Sequence, residues 1–345
     1  RPRVARPRRP DPVVRYLTRR VLVFVPSLLL VSVLTFVMVR SAGGDPAELR
    51  LGLHASPEAL LRVRREMGLT DAWPVQYWHW LVSAVAGNLG RSYLTGSSVT
   101  AELLSRFPAT LELALASMIV AVPFGIVAGT VSAVRSHTVV DNFAMVGGLF
   151  GISIPTFWLG VMLIIVFAVW LGWVPVAGSV DVHLGVYPIT RFSLIDGFLE
   201  MGWPGLWDAA RHLILPAVTL AGWPMAILAR HMRSSLLEVL HQDYTRTARA
   251  KGLRFLRLVW RHAFPNALIP VVTVAALETG YLLGGAVITE TVFAWPGIGN
   301  LTIQALAARD YMLVQGTVLL FAVVFAVLNV LADLTYALLD PRIRY

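Results

Sequence analysis

From residue 21 to residue 39 the chain carries no charged side chain, and comparable apolar stretches recur five more times along its length. Crossing the hydrocarbon core of a bilayer takes about 20 apolar residues in a helix. Of the 345 residues 57% are hydrophobic and only 14% charged, whereas a soluble domain carries about 25% charged residues. A soluble core could not hide one uncharged helix after another. The expected fold is therefore all-α: a polytopic membrane protein of about six transmembrane helices.

Charge sets the orientation. The first span (21–39) follows a basic segment, residues 1–20, holding Arg1, Arg3, Arg6, Arg8, Arg9, Arg15, Arg19 and Arg20. By the positive-inside rule that segment stays in the cytoplasm. The apolar run is too long for a signal peptide and no small-residue cleavage site follows it, so it reads as a retained anchor. Residues 40–108 are polar, with a cluster of Trp73, Tyr77, Trp78 and Trp80 that suggests an amphipathic helix at the membrane interface. The remainder, 109–345, is expected to hold five further spans. They are 110–131, then 140–171 divided at Pro155, then 213–229 kinked by Pro216 and Pro224, then 267–289 and 316–339. Residues 172–210 set four acids against Arg191 alone, which suits an outer loop. Residues 230–262 carry Arg230, Arg233, Arg246, Arg249, Lys251, Arg254, Arg257 and Arg261 against Glu238 and Asp243, so that loop belongs inside, as do both termini.

Several function classes drop out. The formal charge of +9 suggests nucleic acid, but the basic residues flank apolar spans and form no soluble basic face. There is no cysteine, and the eight histidines include no His-x-x-x-His pair, so neither a thiolate nor a helical metal site is expected. His54 and His183 read as loop residues. A phosphate-cradling loop needs Gly-x-x-x-x-Gly-Lys-Ser/Thr. The one lysine, Lys251, is followed by Gly252 and Leu253, so ATP hydrolysis cannot be assigned to this chain. Two further classes stay open as the less favoured readings: a membrane enzyme, for which no Ser/His/Asp set, metal motif or carboxylate pair stands out, and an ion-driven secondary transporter, for which neither paired discontinuous helices nor internal symmetry is clear.

The inward loop 233–265 is the most informative segment. Residues 234–250 can form one helix, Gly252 can end it in a left-handed conformation, residues 254–263 can form a second, and Pro265 leads into the next span. Charge alone leaves two readings, a tether on anionic lipid headgroups or a block that docks into another protein. Gly252 and Pro265 stand thirteen residues apart, and the stretch from Asp243 to Leu253 resembles the "EAA loop" of ABC-importer permeases in its dipeptide/oligopeptide/nickel branch. Of the small-residue triplet that precedes the glycine, Arg246-Thr247-Ala248 keeps only the alanine. Further blocks resemble the same family in order: Gly44-Asp45-Pro46, Asn88-Leu89-Gly90-Arg91-Ser92, Ala109-Thr110-Leu111-Glu112-Leu113, residues 289–299 and residues 309–316.

The resemblance implies an ABC type I importer permease in a bacterial cell membrane. Tyr244, Thr247, Ala248, Ala250, Lys251, Gly252, Leu253 and Pro265 would then couple it to two separate ATPase subunits, which hold the ATP and magnesium. A second, homologous permease would complete the path. An extracytoplasmic binding protein would deliver peptide to the outer loops, with Phe293, Trp295 and Pro296 at the contact. Nickel chelates, glutathione or another small solute are the alternative cargoes. Within the membrane, Glu112, Glu278, Asn329 and Asp333 are the polar candidates. Glu112 and Asp333 lie near span ends, where an interfacial place explains them. Glu278, with Tyr281 nearby, either lines the path or makes an interhelical hydrogen bond. Gly280, Gly284 and Gly285 read as a close-packing face for the partner permease.

Overall fold

A side chain that faces lipid has no reason to be polar, so a membrane helix sorts its residues in the reverse of a soluble one. The first helix does this. The computed structural model describes residues 12–41, 43, 45–52, 55–181 and 184–339, with side chains except at 12–22, 49–50, 149–150, 285 and 332–339. Arg1, Arg3, Arg6, Arg8, Arg9, Gly44, His54, His183 and residues 340–345 fall outside the described set, as do the side chains of Arg15, Arg19, Arg20 and Asp333. Helix α1 (Pro12–Ser41) exposes Val23, Leu30 and Met38 while burying Ser32, Thr35 and Phe36.

Three short helices follow: α2 (Pro46–Leu51), α3 (Pro57–Glu66) and α4 (Trp73–Val85). Asp45 caps α2 by accepting from the Ala47 amide at 2.9 Å. The aromatic cluster on α4 divides. Trp73 and Trp78 stay exposed, but Trp80 is buried, and Tyr77 turns to α1, with its hydroxyl 2.8 Å from Ser32 Oγ and its ring edge-on to Phe36 at 5.3 Å. Two of the four rings thus turn inward: α1 offers a hydroxyl and a ring face, and Tyr77 takes both.

Among the described residues, five helices are long and apolar enough to cross a membrane, and a bent pair makes a sixth candidate. After α1 comes α5 (Val99–Val134), which starts ahead of the expected span. The bent pair is α6 (Val139–Ser153) with α7 (Thr156–Leu163), whose end widens into a π-helical segment, Ile164–Trp170; the two arms meet at 100° across Pro155. Pro155 bars the preceding residue from helical geometry, which is why the division falls there. The expected outer loop contains α8 (Ser193–Met201), and α9 (Trp203–Leu240) then runs 38 residues. At 1.5 Å per residue α9 is about 57 Å long, far beyond the ~30 Å hydrocarbon core. The helix continues through Pro216 and Pro224 and overshoots both expected ends, 213 and 229.

Helices α5 and α9 form the most extensive pairing. Gly125 and Gly129 on α5 make this possible. A Cβ at Gly125 would stand 2.8 Å from the Met225 carbonyl oxygen, and one at Gly129 would collide with the Ala229 carbonyl. This Gly-x-x-x-Gly pair was readable in the sequence as a helix-packing signal. Replacing Gly129 by leucine forces the helices apart at a cost of about 1–3 kcal/mol or more; a lower melting temperature in detergent is the expected result.

The remaining helices are α10 (Asp243–Ala250), α11 (Phe255–Leu258), α12 (Phe264–Gly285), α13 (Val287–Val292), α14 (Ile298–Ala307) and α15 (Tyr311–Leu339). Helix α15 packs between α1 and α12. Gly280 sits against Phe325 and Leu328 of α15, while Gly284 has nothing within 4 Å of an added Cβ. Gly280 therefore packs against α15 of this chain.

Candidate functional site

The basic loop is a compact block mounted on two long helices. Residues 234–250 do not form one separate helix. Helix α9 carries on to Leu240, the chain turns at His241 and Gln242, and α10 begins at Asp243. The rise in charge after residue 230 marks where the membrane ends, and a helical backbone need not end there. Thr245, buried and absent from the sequence candidates, fixes the turn: its hydroxyl donates to the Leu240 carbonyl (2.9 Å) and the Gln242 carbonyl (2.6 Å).

Gly252 ends α10 as expected. Its φ is 82°, the Gly252 amide donates to the Arg249 carbonyl at 3.0 Å, and the Leu253 amide donates to the Ala248 carbonyl at 3.3 Å. That pair of bonds is the Schellman arrangement, which requires a left-handed residue at this position. Beyond it, α11, a π turn (Val259–Ala263) and α12 form one continuous helix from Phe255. Pro265 therefore does not separate a second helix from the fifth span. It sits in the first turn of α12, directly after the π turn, and the widened turn relieves the clash a proline makes with the preceding helical carbonyl.

The two arms are tied together. Asn266 donates to the Tyr244 hydroxyl (3.1 Å) and to the His262 carbonyl (2.7 Å). Tyr244, Thr247, Ala250, Lys251 and Gly252 are exposed, with Ala248 and Leu253 partly so. Beside them Phe255, Leu256 and Trp260 are exposed as well, and the Arg249 guanidinium lies 5.5 Å from the Phe255 ring centre. The expected coupling residues thus share one solvent-facing knob of mixed basic and apolar character.

Two turns before the end of α9, Arg233 makes a two-pronged ion pair with Asp141 of α6, Nε to Oδ1 at 2.7 Å and Nη2 to Oδ2 at 2.8 Å. Ser132 of α5 also donates to Asp141, as does the His137 amide at 2.9 Å. Asp141 is buried. This cluster ties α5, α6 and α9 together two turns before the basic block.

Inside the bundle, Glu278 and Tyr281 line one cavity of about 470 Å³ between the α6–α7 bend, α9 and α12. Glu278 is 7% exposed, and its Oε2 has no hydrogen-bond partner among the described residues. Within this chain no described donor reaches that oxygen, and the side chain lines the cavity. Asn329 is half-buried on α15 and is not among the lining residues.

On the opposite side, three carboxylates hold helix starts. Glu112 accepts from the Ser193 amide (2.9 Å), the Ser193 hydroxyl (2.6 Å) and the Leu194 amide (2.9 Å), satisfying the first turn of α8. This is a buried structural role, where the sequence suggested an interfacial one. Glu290 is fully buried and holds α14: it accepts from Thr110 Oγ1 at 2.7 Å and from the Asn300 amide at 3.0 Å. Burial pushes its carboxyl above the usual carboxylate range, against the pull of those donors. Asp310 caps α15 through the Leu313 amide (3.2 Å) and reaches across to the Ser92 hydroxyl. Replacing Glu112 by alanine leaves the α8 amides without an acceptor and costs about 1–2 kcal/mol; α8 should then become the first segment to yield to protease.

The same clamp settles the turn after α13. Trp295 donates from Nε1 to the Ala109 carbonyl at 2.8 Å and is fully buried, and Phe293 packs its ring on Gly160. These two rings therefore face the core and not an outside partner. Pro296 is partly exposed and Ala294 fully so. The blocks at 88–92 and 309–312, and those at 109–113 and 289–299, meet in pairs at the end of the bundle away from the basic block.

Comparison with known proteins follows this geometry. Residues 121–345 match the description "binding-protein-dependent transport system inner membrane component", and residues 13–114 match the N-terminal part of such membrane components. The chain belongs to that family. The di/tripeptide transport system permease protein of Pseudomonas aeruginosa is 44% identical over 96% of this chain and 99% of its own. The dipeptide transport system permease protein of Escherichia coli strain K12 is 41% identical over 96% and 99%. The glutathione transport system permease protein of the same strain is 39% identical over 96% and 100%. A solved inward-facing form of the MetNI methionine ABC transporter aligns with a TM-score of 0.48 at 18% identity, over 69% of this chain and 96% of that one. As an inner membrane component the chain is multi-pass, which accounts for its lipid-facing helices.

Proposed function

We propose that this chain is the permease subunit of an ATP-driven importer of di- and oligopeptides. It forms the translocation path with a second, homologous permease. Hydrolysis takes place on separate ATPase subunits, and an extracytoplasmic binding protein delivers the cargo. Both termini and the loop 233–265 face the cytoplasm. The observation that carries the reading is the knob from Asp243 to Trp260, held by Thr245, Asn266 and the Gly252 stop on two helices that cross the bundle. Such a block passes force as a rigid body. The peptide cargo draws support from the permease relatives named for di- and tripeptides. A glutathione relative of similar identity leaves that small peptide as the second reading.

Affinity purification of the chain in mild detergent tests the assembly. Two ATPase subunits and a second permease should co-purify. Recovery of the chain alone, active in vesicles without companions, would show the reading to be wrong.

A further inference from the structure

Glu278 is the one charged side chain among the residues lining its cavity. The walls are otherwise apolar, apart from hydroxyls, and Thr219 spends its own on the Leu215 carbonyl at 2.7 Å. A carboxylate within a membrane bundle is costly without a counter-charge, and Oε2 has no partner among the described residues. Trp223 and Tyr281, both exposed, line the same cavity, the Tyr281 ring also packing on Phe325 at 5.6 Å. One carboxylate beside two aromatic side chains is a poor metal site, because a hard cation asks for six or more oxygens. It is a good site for an organic ammonium, which donates a charge-assisted hydrogen bond to the carboxylate and can lie against the aromatic rings. The volume, about 470 Å³, suits a small ligand.

We propose that Glu278 receives the terminal ammonium of the cargo peptide in transit, so that the permease itself favours peptides with a free amino terminus. The proposal rests on the peptide reading above. It orients the cargo, since the peptide's own carboxylate is repelled from Glu278 and must trail or lead away from it. The contact has to be weak, because a path site that binds tightly does not release.

The test uses the complete transporter in proteoliposomes, with its binding protein outside and ATP inside, and radiolabelled alanylalanine as probe. One charge-assisted hydrogen bond lost from the transit step should lower Vmax about tenfold in Glu278→Gln. KM, set by the binding protein, should hold within about twofold. Glu278→Asp keeps the charge and should retain at least about a third of the rate. An unchanged Vmax in Glu278→Gln overturns the proposal, and so does an equal loss in Glu278→Asp. The unaltered transporter supplies a second readout, independent of folding: at saturation, N-formyl-alanylalanine should move about tenfold more slowly than alanylalanine, and equal rates overturn the proposal. Failure of the unaltered assembly to take up alanylalanine at all would remove the peptide reading itself, and this proposal with it.

Discussion

Replacing Gly252 by proline is expected to lower uptake about tenfold or more while the protein still inserts and accumulates in the membrane. Proline holds φ near −65°, whereas the position sits at +82°. Proline also removes the N–H that reaches the Arg249 carbonyl at 3.0 Å. Both bonds closing α10 are lost, and the knob no longer holds its shape under load. No transmembrane packing depends on this residue, since an added Cβ would meet nothing within 4 Å. Alanine offers a graded control: a left-handed alanine costs about 1–2 kcal/mol, so uptake should fall only partly. Measuring uptake against membrane abundance for both variants checks the claim; normal uptake in Gly252→Pro would contradict it.

The second large effect is expected at Asp141. Asp141 is buried while Arg233 keeps 27% of its side chain exposed, so removing Asp141 leaves a charge that water still partly reaches and costs about 1–3 kcal/mol. Asp141→Ala strips Arg233 of both its hydrogen bonds and frees Ser132 and the His137 amide. The melting temperature of the detergent-purified protein should drop clearly. Asp141→Leu combined with Arg233→Met should recover much of the loss, because two apolar groups leave no buried charge behind. If the double variant were as unstable as the single one, the pair would not be the reason. Its effect on transport should exceed its effect on abundance, since the pair joins α6 and α5 to the lever.

How much of this was legible beforehand depends on the range of the forces. The apolar runs gave away five long spans and the bent pair that makes a sixth candidate, and Pro155 the division of that pair, because hydrophobicity and proline sterics act locally. Gly252 was readable for the same reason: a helix stop needs a left-handed residue, and glycine takes that conformation freely. Glu278 was singled out by position alone, and the fold brings Tyr281 into the same cavity.

What escaped was long-range. Asp141 and Arg233 are 92 residues apart, and nothing near either announces the other. Glu112 read as an acid near a span end, and Glu290 went unremarked in an outer loop, because the amides they satisfy belong to helices 81 and 10 residues away, and an amide has no sequence signature. Phe293 and Trp295 read as surface aromatics of an outer loop. The Glu290 clamp folds their turn back against α5, and the rings go inward with it. The ends of α9 were misplaced because polarity marks the edge of the membrane, not the end of the helix.

The chain has no cysteine, so one can be placed without a background signal. Thr247→Cys, on the exposed face of α10, can carry a photoactivatable benzophenone maleimide in the assembled transporter. Illumination should join this chain to an ATP-hydrolysing subunit. Cross-linking only to lipid or to the extracytoplasmic binding protein would contradict the account.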